Sequence, residues 1–201
     1  VINLPFFKIT HLRTQIPYET STSAMKFTTT ELTNIVEWKP YRPEWPIRLN
    51  EKEDGIEAHF GALINAFTDH TDFDVAITQD GSMSNFLEIV CFIPQQTGGN
   101  SPALIVCISF CAPIAAFAEI EAYISEETLG WDTLDYNTIG KVKSPILEPI
   151  KNAVLAILEQ HQLPLLDPTY AAELLSPELL DKVNAPHDEN RIIHGIFQWE
   201  D

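Results

Sequence analysis

Apolar positions in the centre of the chain follow two periods, and each period predicts an element. In DGIEAHFGALINAFTDH, residues Ile56, Phe60, Leu63, Ile64 and Phe67 fall at i, i+4, i+7, i+8 and i+11. That spacing puts them on one face of a helix over about 55–68, with Asp54 as N-cap and Glu57 three residues later as in a capping box. The period then changes to two. FDVAITQ alternates Phe73, Val75 and Ile77 with Asp74, Ala76 and Thr78, and Asp80-Gly81-Ser82 supplies turn residues after it. SNFLEIVCFIP reads as a second strand, QQTGGNSP as a loop and ALIVCISF as a third strand, so the segment predicts an antiparallel meander.

No charge occurs from Ile89 to Ala118. Residues 103–118 give sixteen uncharged positions with Pro113 among them, short of the ~20 a membrane helix needs. Pro113 cannot donate to a ladder and marks a break between strands. Beyond it Ala118, Ile120, Ala122 and Ile124 alternate with Phe117, Glu119, Glu121 and Tyr123, which predicts a strand with one wet face. A helix over 114–124 is the competing reading.

The flanks are less regular. INLPFFKI and AMKFTTTELTNIVEW have strand composition, so residues 1–50 read as an irregular β-rich part. TTTELTNIVEW also allows a short helix through Leu32, Ile35 and Val36. Pro40, Pro43 and Pro46 make EWKPYRPEWPIRL a stiff crossover. ISEETLGWDTLDYNTIGKVK reads as a long polar connection. Ser144 and Pro145 then start a second helix, with Ile146, Ile150, Val154, Ile157 and Leu158 on its apolar face and its end near Gln160. Ser176-Pro177-Glu178 starts a short helix to Val183, and APHDEN is a loop. RIIHGIFQW predicts a closing strand in the main sheet, because so apolar a segment needs pairing. The expected architecture is a single α+β domain over 1–201: an antiparallel or mixed sheet of five to six strands packed against two main helices.

Charge narrows the function classes. The formal net charge is −17. Such a chain repels phosphate backbones and anionic bilayers, so the expected partner is a basic protein, with no nucleic acid and no membrane. Between Lys52 and Lys141 no Lys or Arg occurs, while fourteen acids do, so the central segment carries the negative field. These acids are expected on edges, loops and one face of the sheet. The first fifteen residues lack the basic and apolar regions of a signal peptide, and Cys91, Cys107 and Cys111 all sit in apolar runs, so a cytoplasmic address is expected.

Catalytic signatures are missing. No GxSxG, GxGxxG, P-loop or HExxH pattern occurs. Cys107 and Cys111, four apart on one strand, would share a face but stand too far apart for one metal, so core thiols are expected. The densest ligand group is His187, Asp188, Glu189 and His194, a weak metal candidate, and no cofactor is expected. Two aromatic clusters carry the partner-binding expectation: Trp38, Tyr41, Arg42 and Trp45 in the crossover, and Trp131 and Tyr136 beside Asp132 and Asp135, with Glu126 and Glu127 just upstream. Trp, Tyr and Arg are the common anchors of protein interfaces. The bland alternative is that these rings pack their loops onto the core.

The C-terminal order of a helix, the Leu-rich ELLSPELLDKV, an acidic loop and a final RIIHGIFQWED resembles small acidic immunity proteins of bacterial toxin systems, over about the last sixty residues. The resemblance implies a binder that neutralises a basic toxin through acidic surface, and it transfers no catalytic residue. An immunity-type inhibitor is therefore the leading expectation. The alternatives are a hydrolase or small-ligand enzyme with a site in loops 126–140 and 184–191, and a structural subunit that uses an edge strand.

Overall fold

The structure is a computed structural model that describes residues 25–46, 54–78, 84–93, 99–124, 129–183 and 190–198, with backbone alone at 54–57, 124 and 129. Five strands form one antiparallel sheet in the order β1-β2-β3-β4-β5. They are β1 (Asp74–Thr78), β2 (Phe86–Phe92), β3 (Gly99–Ser109), β4 (Ala115–Ile124) and β5 (Leu129–Trp131). The stretch 114–124 is thus strand from Ala115 on and not helix, and Pro113 lies in the β3–β4 turn, where its missing donor does no harm. β3 starts earlier than its apolar run, taking in Gly99 to Pro102 opposite Glu121–Ile124 of β4. β5 falls inside the stretch expected to be a polar connection.

Helices α1 (Thr29–Val36), α2 (Asp54–Thr68) and α3 (Glu148–Gln160) supply most of the helical layer. Short turns α4 (Pro168–Ala171), α5 (Pro177–Leu180) and α6 (Ile192–Ile196) follow. In α1, Thr28 Oγ1 accepts from the Glu31 amide and the Glu31 carboxylate accepts from the Thr28 amide, a full capping box. Thr29–Val36 is therefore the short helix that Leu32, Ile35 and Val36 allow, and not the strand that the composition of this stretch also suggested. Ser144 does not cap α3 with its side chain. Its hydroxyl donates to Glu119, and a 3₁₀ turn over Pro145–Leu147 leads into the helix.

The sheet divides the core. Leu87, Ile89 and Cys91 of β2 and Leu104, Val106 and Ile108 of β3 join Phe60, Leu63 and Phe67 of α2 and Ile150, Val154 and Leu158 of α3 in the large cluster. The opposite face carries a smaller cluster of Phe86, Val90, Ala103, Ile105, Cys107, Ala118, Ile120 and Ala122. Cys107 belongs to this second face and Cys111, in the turn beyond β3, to the first, so they do not share a face.

The expected C-terminal strand is a helix. Ile192, Ile193 and Ile196 lie at i, i+1 and i+4 and are all buried. α6 packs on α1 closely enough that a Cβ on Gly195 would stand 2.9 Å from Val36 Cγ2. Gln198 then donates through Nε2 to the carbonyls of Val36 and Gly195, each at 3.0 Å, and its amide donates to Asn85 Oδ1 at 2.8 Å. Among the described residues no helix is long and apolar enough to cross a membrane.

Candidate functional site

The outer edge of β4 is occupied piecewise, and one interruption makes a cleft. At its start the Leu166 amide donates to the Ala115 carbonyl and the Ala115 amide to the Pro164 carbonyl. Further along, the Gly140 amide donates to Phe117 and the Glu119 amide to Lys141. At the far end β5 pairs Trp131 with Ala122. Between these docking points residues 132–139 arc away from the strand. Gly140, at φ 72°, lets the arc rejoin the edge in a backbone conformation that glycine adopts freely.

Asp135 organises the arc. Its carbonyl accepts from the Thr138 and Ile139 amides, and its Oδ1 accepts from the Asn137 amide at 2.7 Å. Such local side-chain bonding to the backbone is what favours Asp in turns. Ile139 is buried and anchors the arc in the core. Tyr136 lies under the Arg191 guanidinium, 4.1 Å from its ring centroid, and edge-on to His194 at 6.1 Å. These contacts tie the arc to the start of α6.

Between the arc and the end of the β3–β4 hairpin lies a cleft of about 600 Å³. Four acids line it, Glu119, Glu121, Asp132 and Asp135, and so do Lys141 and Lys143. Glu119 is structural: its carboxylate accepts from the Ser144 amide at 2.8 Å, from the Ser144 hydroxyl and from the Lys143 amide. Burial pushes its carboxyl up, but those donors outweigh burial and hold it below the usual carboxylate range. The ion pairs among the described residues involve Glu31, Glu37, Glu148 and Glu173 and include none of the four cleft acids, although the Lys143 charge adds to the lowering at Glu119.

The structure separates the residues expected to bind a partner. Tyr41 and Trp45 are buried: the Trp45 indole donates to the Phe110 carbonyl at 2.7 Å and meets Tyr41 edge-on at 5.8 Å. They dock the proline-rich crossover onto the β3–β4 turn, which is the bland reading of that cluster. Trp38 is half-buried, and Arg42 is exposed and paired with Glu31 at 2.5 Å. Asp132 and Asp135 come together at the cleft, with Trp131 immediately before them on β5. Glu126, Glu127, His187, Asp188 and Glu189 lie outside the described residues. His194 accepts from the Arg191 amide through Nδ1 at 3.1 Å, and among the described residues no group of three or more possible ligands could hold a metal.

Sequence reasoning missed Glu88. It is 3% exposed on the second face of the sheet, and the Trp131 indole donates to its Oε1 at 2.8 Å. Burial pushes this carboxyl up, and the indole only partly offsets the rise. Glu88 also adds to the rise that burial causes at the Cys107 thiol. Comparison with family models, with curated proteins and with solved structures finds no match to this chain.

Proposed function

We propose that this protein is an acidic protein-binding module that receives a basic partner at the cleft between the β3–β4 hairpin and the arc 132–139. The observation that carries the reading is the set of Glu121, Asp132 and Asp135 around a cleft of about 600 Å³, with no cationic side chain paired to them among the described residues. A Lys or Arg side chain from a partner would supply the missing charge, and the net charge of −17 would steer its approach. The finer form of the proposal is an immunity-type inhibitor of a basic toxin, acting in the cytoplasm, which rests on the resemblance of the C-terminal sequence.

The test is capture from a lysate of the source cell at low salt, with wild type and a Glu121→Gln/Asp132→Asn/Asp135→Asn variant run side by side. A basic protein held by wild type, released by salt and lost from the variant supports the reading. Equal retention by the variant removes the cleft from the interface, and an empty capture removes the binding module. Inhibition of the retained protein's activity on adding the wild-type chain would establish the inhibitor form.

The cleft volume also suits a small ligand, which favours the enzyme alternative in part. No histidine or cysteine lines it among the described residues, so carboxylates would have to do any acid–base work.

A further inference from the structure

Glu88 and Trp131 meet although three strand spacings separate β2 from β5, about 14 Å in a flat sheet. The sheet curls to bring them together, and the second face lies inside the curl. Trp131 shares that face with Ala122, its partner in the register, and packs against the small second cluster. β5 itself is short, with three residues and three register pairs, and a long bond of 3.4 Å from the Asp132 amide to the Glu121 carbonyl follows it. The arc that forms the cleft's outer wall begins at the next residue, Asp132. The indole is therefore the inner anchor of that wall, and a carboxyl group holds its N–H.

We propose that Glu88 and Trp131 form an acid-closed latch on the cleft wall: the protonated carboxyl holds the indole across the second face, and loss of that proton releases β5 and the arc after it. The physical reason is an imbalance. A carboxylate inside the curl would have one strong donor, the indole N–H, while a buried charge without a cationic partner is costly enough that opening to water becomes the cheaper state. Among the described residues no cation faces Glu88. Across from it stand Thr78 on β1 and Cys107 on β3. Asp74, at the far end of the same face of β1, is exposed, and Leu134 and Phe197 pack apolar surface against the cluster. Asp132 and Asp135 line the cleft. Every titratable group named here is acidic or a thiol, so each one that ionises opposes ionisation of Glu88.

The raised carboxyl of Glu88 fixes the sign. Opening exposes the carboxyl and returns it to an ordinary value of about 4.3. The open fraction then grows with pH from there up to the closed-state value, by up to about tenfold per pH unit, and levels off above it. The latch does not depend on what occupies the cleft, and its test needs no ligand.

The experiment is hydrogen exchange by nuclear magnetic resonance across that pH window, corrected for the intrinsic rate. It reads the Trp131 indole N–H and the amides of β5 and Asp132. In wild type their protection should fall as pH rises, while amides in the β2–β3 ladder stay level. In Glu88→Gln the fall should vanish. An unchanged pH profile in Glu88→Gln, or a flat profile in wild type, overturns the latch. If Glu88→Gln does not fold, the Glu88 carboxyl-carbon shift in wild type decides. Titration above the ordinary range, in step with the loss of protection, supports the latch. Titration in the ordinary range, or out of step, overturns it.

Discussion

Replacing Gly195 by alanine sets two effects of known size against each other. A helical Gly→Ala change alone gains about 1 kcal/mol. Here the new Cβ would lie 2.9 Å from Val36 Cγ2 and 3.3 and 3.4 Å from the two methyls of Leu175. Leu175 can adjust, because its methyls end a flexible side chain. Val36 cannot, since a β-branched residue in a helix has one strongly preferred rotamer. Its backbone is held as well, through the Val36 carbonyl and Gln198 Nε2. Overpacking of this kind costs about 1–3 kcal/mol. The repulsion offsets the gain or exceeds it, and Gly195→Ala should destabilise the protein by up to about 2 kcal/mol net. At this chain length that corresponds to a fall of up to roughly 8 °C in Tm. Urea unfolding measures it as a lower midpoint with an unchanged slope. The same change in a Val36→Ala background should lose most of its penalty, a coupling of about 1 kcal/mol or more. A Gly195→Ala protein more stable than wild type would refute the close α1–α6 approach, and with it the placing of α6.

Three further outcomes follow from particular contacts. Trp45→Phe should lower stability by about 1–3 kcal/mol, because it leaves the buried Phe110 carbonyl without its indole donor; a ring that served only a partner would leave the urea midpoint unchanged. Glu119→Ala should cost about 1–2 kcal/mol at neutral pH by releasing the Ser144 and Lys143 donors. Because the folded Glu119 carboxyl sits below its ordinary value, its contribution is present above about pH 4.3 and fades as pH falls through the folded value, so the two proteins' stabilities should converge in acid. Finally, all three thiols are buried and Cys111 is pushed up to about 12, so a thiol reagent at mildly alkaline pH should label none in the native state and three after unfolding.

The sheet was legible because its strands obey a simple rule in the sequence. Phe73, Val75 and Ile77, then Ala118, Ile120 and Ala122, alternate with polar or small neighbours, and turn residues or Pro113 separate the runs. The end of the chain misled for the opposite reason. RIIHGIFQW is rich in residues of high strand propensity, yet propensity gives way to tertiary context. Residues 140–141, 164–166 and β5 already occupy the outer edge of β4. Ile192, Ile193 and Ile196 instead bury a helical stripe, and Gly195 removes the side chain that would keep α6 from α1. Neither edge occupancy nor that close approach can be seen in a local window.

The site shows the same division more sharply. Asp132 and Asp135 were legible as a polar, acidic loop, but their cleft depends on where the chain leaves β4 and where it returns, which is a property of the edge. The aromatic clusters were ambiguous because a ring in a proline-rich loop reads alike whether it faces a partner or the core. Trp45 faces the core, since a carbonyl in the β3–β4 turn needs its N–H. Glu88 had a usable signal. It shares the two-residue period of Phe86, Val90 and Phe92, so an inward position was written in the strand itself. Treating every acid of the central segment as solvated hid it. An acid that keeps an inward register in an apolar strand must find a donor, and here the donor is the tryptophan just before the cleft wall. Trp131 thus links the buried carboxyl on β2 to the acidic cleft, whose wall starts at the next residue, Asp132.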